Sequence, residues 1–95
     1  MEIVRNIRKI NKDSNSVVTV GVFDGVHIAH REILKRMEEE KKKTGARTLL
    51  VTFDPHPQEI LRPREKFQIL TTIDERIELL KEYDLDIVFV VNFTL

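Results

Sequence analysis

The run VVTVGVFDGVHIAH at residues 17–30 constrains this chain more than any other segment. Residues 17–23 (VVTVGVF) are nearly continuously apolar and rich in β-branched side chains, the pattern of a strand covered on both faces. Gly21 lies within that strand, where a missing side chain admits a close approach of backbone or ligand. Gly25 falls in the following turn, where a positive φ is required. Beyond the turn, His27 and His30 stand three apart at a helix start, so their imidazoles share a face. Exposed N–H groups at a helix start carry partial positive charge, which suits phosphate. A strand, a tight turn and a helix start in this order form a nucleotide-phosphate site.

The rest of the chain supplies the frame for that segment. Residues 48–53 (TLLVTF) and 87–91 (IVFVV) are two further buried-strand patterns. Between the first two strands, Ile28, Ile33, Leu34 and Met37 make an apolar stripe opposite Arg31, Lys35, Arg36, Glu38, Glu39 and Glu40. This helix is expected to end at Thr44 and Gly45, with Gly45 as a left-handed cap. Ile73, Ile77 and Leu80 predict a second helix over residues 73–83, started by the capping box of Thr72 and Glu75. The series β-α-β-α-β is a right-handed half of a doubly wound α/β sheet, whose ligands sit at the carboxyl ends of the strands. Ile3 and Val4 leave open one more strand within residues 2–7. Residues 54–72 contain Pro55, Pro57 and Pro63 and read mostly as loop, with one helical turn around residues 58–61.

Composition narrows the function. With 95 residues there is room for one small domain at most. Sixteen basic and sixteen acidic residues cancel, so no overall field draws the chain to nucleic acid or an anionic membrane, and any anion site is local. The absence of cysteine removes disulfides, thiolate metal sites and thiol nucleophiles. The amino terminus lacks the continuous apolar core of a signal peptide, and no later run is long enough to span a membrane, so the expected location is the cytoplasm.

GVFDGVHIAH resembles the signature in which a Gly-x-Phe-Asp turn precedes a His-x-Gly-His pair, found in adenylyl and cytidylyl transferases of the HIGH superfamily. With VTFDPHP at residues 51–57 and LTTIDERIELLKEYDLDIVFVVNF at residues 70–93, the chain is most similar to the FMN adenylyltransferase module of bacterial FAD synthetase, the bifunctional riboflavin kinase/FMN adenylyltransferase. The resemblance implies a Rossmann-like, three-layer parallel sheet. It also implies direct attack of the FMN phosphate on the α-phosphate of ATP, giving FAD and pyrophosphate with Mg2+ assisting. Such a reaction needs anions positioned and charge stabilised, not an activated nucleophile. By the same resemblance His27 and His30 are the catalytic donors and charge stabilisers. Gly21, Val22, Phe23, Asp24 and Gly25 bind ATP, with Phe23 packing beside the nucleotide and Asp24 orienting the turn. Asp54, His56 and Pro57 face FMN, and no side chain is assigned to a metal. Ala29 stands where the family has a glycine, so its methyl group is expected to alter nucleotide affinity or orientation.

Other readings stay beside these. Two histidines at i, i+3 also make part of a metal site, but no third ligand is near in sequence. FDPHP is equally a rigid turn carrying a solvated histidine. Arg62 and Arg64 read as loop charges, EEEKKK at residues 38–43 as a solvated helix face, and Asp74, Glu75, Arg76 and Glu78 as the outer face of the second helix. Asp84 and Asp86 belong to the turn into the third strand. The resemblance further implies that residues 1–95 are a single partial nucleotidyltransferase domain, cut short on its carboxyl side, without the Ser/Thr-Arg motif that clamps the ATP phosphates and without a riboflavin kinase domain. The rival functions are transfer to another phosphorylated acceptor, such as pantetheine phosphate or glycerol phosphate, and a non-catalytic nucleotide-binding module. The latter would self-associate through an exposed last strand.

Overall fold

The computed structural model describes residues 1–25, 28–54 and 72–92, with Ile28 described through its backbone alone. Four strands, β1 (Glu2–Val4), β2 (Ser16–Val20), β3 (Arg47–Phe53) and β4 (Ile87–Val91), form one sheet in the order β1-β4-β3-β2. Every neighbouring pair is parallel. Helix α1 (Ile28–Thr44) joins β2 to β3, and α2 (Ile73–Leu80) precedes β4. The β-α-β-α-β series is therefore present, and the strand left open near the amino terminus is β1, paired with β4 through Glu2↔Ile87 and Val4↔Phe89.

Local chemistry sets the element ends. Gly45 takes φ +71° and its N–H donates to the Lys41 carbonyl at 2.8 Å, the left-handed cap expected of it. At the start of α2, Thr72 Oγ1 accepts from Glu75 N–H while Glu75 Oε1 accepts from Thr72 N–H, each at 3.1 Å. That reciprocal box satisfies two otherwise orphaned donors. The helix stops at Leu80 rather than Tyr83, because Tyr83 N–H turns back to the Leu80 carbonyl in a tighter i to i+3 bond. Strand β2 likewise stops at Val20, three residues before the apolar run does, for a reason given below.

Both helices pack on the same face of the sheet, as two crossovers of one hand require when successive strands step in one direction. Leu34 and Met37 of α1 and Leu80 of α2 meet Phe23, Leu50, Leu85, Val88 and Val90 there. The opposite face carries a smaller cluster of Val4, Leu49 and Ile87, with Ile10, Val51 and Phe89 against it. That cover stops short of β2, where Val18 is 53% and Val20 62% exposed. The described residues thus supply the sheet and one helical layer of the expected three. The last described strand is also not an edge: β4 is paired on both sides, and among the described residues the edges are β1 and β2.

The amino ends of the strands are latched by charge. Lys41 Nζ donates to Asp84 Oδ1 at 2.8 Å and Asp86 Oδ1 at 2.9 Å, while Asp86 Oδ2 accepts from the Thr48 N–H at 2.9 Å. The Glu38 carboxylate accepts from Asp84 N–H at 3.0 Å. Two residues of the EEEKKK run are therefore tied to the approach to β4, and only the remainder is a solvated face. No described helix is long and apolar enough to cross a membrane.

Candidate functional site

The carboxyl ends of β2 and β3 are shaped by one residue, Phe23. After Val20 the chain keeps one more sheet bond, from Gly21 N–H to the Val51 carbonyl at 3.0 Å. Phe23 then takes φ +57°, a left-handed conformation that costs a non-glycine residue about 1–3 kcal/mol and must be held by its surroundings. The hold is the core: the Phe23 ring is 2% exposed and lies among Leu34, Leu50, Leu80 and Val88. This reversal is what ends β2 early. It also explains Gly21, because a Cβ there would lie 2.9 Å from Phe23 Cε2. The close approach that Gly21 permits is thus to a ring of the same chain. The Phe23 ring, expected from the sequence to pack beside a nucleotide, is turned into the core in this structure.

Gly25 completes the turn with φ +76°, as its position required. Helix α1 begins at Ile28 with no acidic side chain in its first turn, so no carboxylate of its own offsets the positive end of the helix. His30 lies in that turn, half-buried, with its ring centroid 4.7 Å from that of Phe23 and the planes tilted by 47°. Ala29 beside it is exposed. His27, the other member of the pair, lies outside the described residues, as do His56, Pro57, Arg62, Arg64 and the helical turn expected around residues 58–61.

The end of β3 is joined to this turn by a buried polar chain. Thr52, fully buried, donates through Oγ1 to the Val22 carbonyl at 2.7 Å. Arg76 Nη1 donates to Thr52 Oγ1 at 3.0 Å and to the Phe53 carbonyl at 2.9 Å. Asp54 follows, its N–H bonded to the Val91 carbonyl at 2.9 Å and its carboxylate 3.9 Å from Arg5 Nη1, a long and exposed pair of little energetic weight. Burial lowers the Arg76 pKa from the ordinary arginine value, and the charges of Asp24 and Asp54 push it back up. The sequence places Arg76 on the outer face of α2, yet it is 3% exposed. Its position, three after Ile73 and four before Leu80, puts it on the apolar stripe; the charge of the side chain disguised that spacing.

The structure accordingly gathers Gly21, Val22, Phe23, Asp24, Gly25, His30, Asp54 and Arg76 at the carboxyl ends of the strands, where ligands of such sheets bind. A second concavity of about 460 Å³ lies at the opposite end, among Glu2, Lys9, Lys41, Arg47 and Asp86. There Lys41 holds Asp84 and Asp86, and Arg47 holds the Ser16 hydroxyl and the Asn11 carbonyl, so these groups serve the fold.

Comparison with known proteins bears on this arrangement. The family model described as FAD synthetase matches residues 9–95. Among curated proteins, the bifunctional riboflavin kinase/FMN adenylyltransferase of Buchnera aphidicola subsp. Schizaphis graminum is 35% identical over 94 residues, 98% of this chain and 30% of that protein. The protein of the same description from Listeria monocytogenes is 36% identical over 83 residues, 86% of this chain and 26% of its own length. That from Escherichia coli K12 is 32% identical over 95 residues, covering 98% and 30%. The chain thus spans under a third of the relatives it matches. A solved structure described as a macrolide-efflux protein from Streptococcus pneumoniae superposes with a TM-score of 0.74 at 24% identity, over 98% of this chain and 32% of that one, which establishes likeness of fold alone.

Proposed function

Because the chain belongs to the FAD synthetase family, we propose that it carries the histidine-pair side of an FMN adenylyltransferase site, for transfer of AMP from ATP to FMN. The observation that carries the reading is the turn over residues 21–25, held at the carboxyl end of β2 and leading into an acid-free helix start. In the proposed reaction an oxygen of the FMN phosphate forms a bond to the α-phosphorus of ATP. The bond from that phosphorus to the bridging oxygen breaks, and pyrophosphate leaves. His27 and His30 donate hydrogen bonds to the phosphates and stabilise their charge; an anion beside an imidazole favours its charged form. Gly21, Val22, Phe23, Asp24 and Gly25 form the ATP side, and Asp54, His56 and Pro57 line the FMN side.

Asp24 and Asp54 are oxygen donors of the hard type that Mg2+ takes, but among the described residues no group of three or more His, Cys, Asp or Glu side chains converges on one point. Mg2+ bound with ATP would supply charge neutralisation on the phosphates. Residues 1–95 form part of a single nucleotidyltransferase domain in this reading, at work in the cytoplasm where ATP and FMN are found. Titration of the chain with ATP and Mg2+, followed by amide and imidazole NMR, is expected to move the Gly25, His27 and His30 signals. Unmoved signals at all three would remove the proposal.

One observation favours a second reading. The β2 edge and the exposed Val18 and Val20 beside it invite association. A self-associating, non-catalytic module would sediment as a dimer and form no FAD from FMN and ATP.

A further inference from the structure

The side chain that the proposed mechanism does not use is Arg76. A cation taken out of water carries a desolvation cost, and an apolar side chain of similar size fills the same space without it. Among the described residues its hydrogen bonds go to two places: directly to the Phe53 carbonyl, and through the Thr52 hydroxyl to the Val22 carbonyl. Val22 is the last residue before the Phe23 reversal, and Phe53 is the last before Asp54. One guanidinium thus joins the two loops that carry the proposed ATP and FMN contacts. Nε is buried with no hydrogen-bond partner, a donor that adds nothing to stability by itself. Asp24 and Asp54, one from each loop, both act on this charge.

We propose that Arg76 is a positioning residue of the strand-end site, fixing the spacing of the two loops and offsetting the negative charge of Asp24 and Asp54 where a polyphosphate must enter. Without that cation the two carboxylates would repel an incoming nucleotide, and without its two Nη1 hydrogen bonds the end of β3 would lose its tie to α2 and the Thr52 hydroxyl its fixed orientation toward Val22. The inference rests on reading these strand ends as the nucleotide site.

The test uses the full chain with Arg76→Met, Arg76→Lys and Thr52→Val. Arg76→Met keeps an apolar stem and removes the charge and both Nη1 hydrogen bonds. Its amide exchange at Val22, Asp24, Gly25 and Asp54 is expected to rise by about tenfold or more, the scale of a lost charged hydrogen bond, with Ala46 and Thr48 unchanged. Its affinity for ATP with Mg2+ is expected to fall about tenfold, and Arg76→Lys to recover most of that loss by restoring charge. Thr52→Val breaks the relay without touching charge, so exchange at Val22, Asp24 and Gly25 rises while affinity falls less than in Arg76→Met.

Exchange at these amides within about twofold of the parent in Arg76→Met, or an equal rise across the whole chain, would overturn the proposal. So would an Arg76→Met chain that binds ATP as the parent does. Should Arg76→Met fail to fold, Thr52→Val alone decides, and unchanged exchange before Gly25 in that variant overturns it. A parent chain that does not bind ATP would defeat the adenylyltransferase reading, while the exchange comparison would still decide whether Arg76 anchors the loops.

Discussion

At the scale of single residues, the site is built around a phenylalanine that faces away from it. Gly21→Ala would place a methyl carbon against the Phe23 ring, and either the ring or the strand end must shift. Overpacking of this kind is expected to cost about 1–3 kcal/mol, read as a lower urea midpoint. Ala29 has the opposite character: it is exposed, so its methyl group is available to whatever approaches the helix start. Ala29→Gly is expected to change ATP affinity while costing up to about 1 kcal/mol in stability through helix propensity. Equal affinity in calorimetric titrations of the two chains would dismiss the idea that Ala29 shapes the site. The sequence made Gly25, Gly45 and the Thr72 and Glu75 box legible because each rests on local backbone geometry. Arg76 is illegible in the sequence because residue type argues for a cation in solvent, whereas tertiary packing buries it.

At the scale of elements, the two ends of the sheet are secured differently. The Lys41 latch at the amino ends depends on pH. Lys41 is raised above 10.5 by its hydrogen bonds to Asp84 and Asp86, so this contribution is fully present below that value and is lost as pH rises through the higher folded pKa. For Asp86, burial works to raise the pKa, but the hydrogen bonds from Lys41 and Thr48 bring it below 3.8. Its contribution is therefore present above 3.8 and is lost as pH falls through the lower folded value. Asp86→Asn is expected to cost roughly 1 kcal/mol at neutral pH, and the difference from the parent should close as pH falls below 3.8 and through the lower folded pKa. Urea unfolding across that range checks it; a constant difference would place the effect in packing. Strand and helix existence was plain from periodicity, and β4 matches its apolar run from end to end. The tie of Glu38 and Lys41 to residues near β4 joins segments more than forty positions apart, and no local pattern announces such a pair.

At the scale of the whole molecule, the helical face is closed and the opposite face thins out toward β2. Val20→Lys would put a charge on that open edge at little cost to the fold, since the side chain is mostly in solvent. If copies of the chain associate through this edge, sedimentation should show a shift to monomer in the variant; a parent already monomeric at high concentration would exclude edge pairing. The parallel α/β class followed from the order of apolar runs, whereas the sheet order did not. Nothing in residues 2–4 alone says that they pair with residues 87–89. That pairing has a kinetic meaning. β2, α1 and β3 are neighbours in sequence and close short loops, but β1 has no strand to join until β4 is seated, and closing so long a loop is entropically slow. Within residues 1–95 the strand that comes first in sequence is thus the one that waits longest for its place in the sheet.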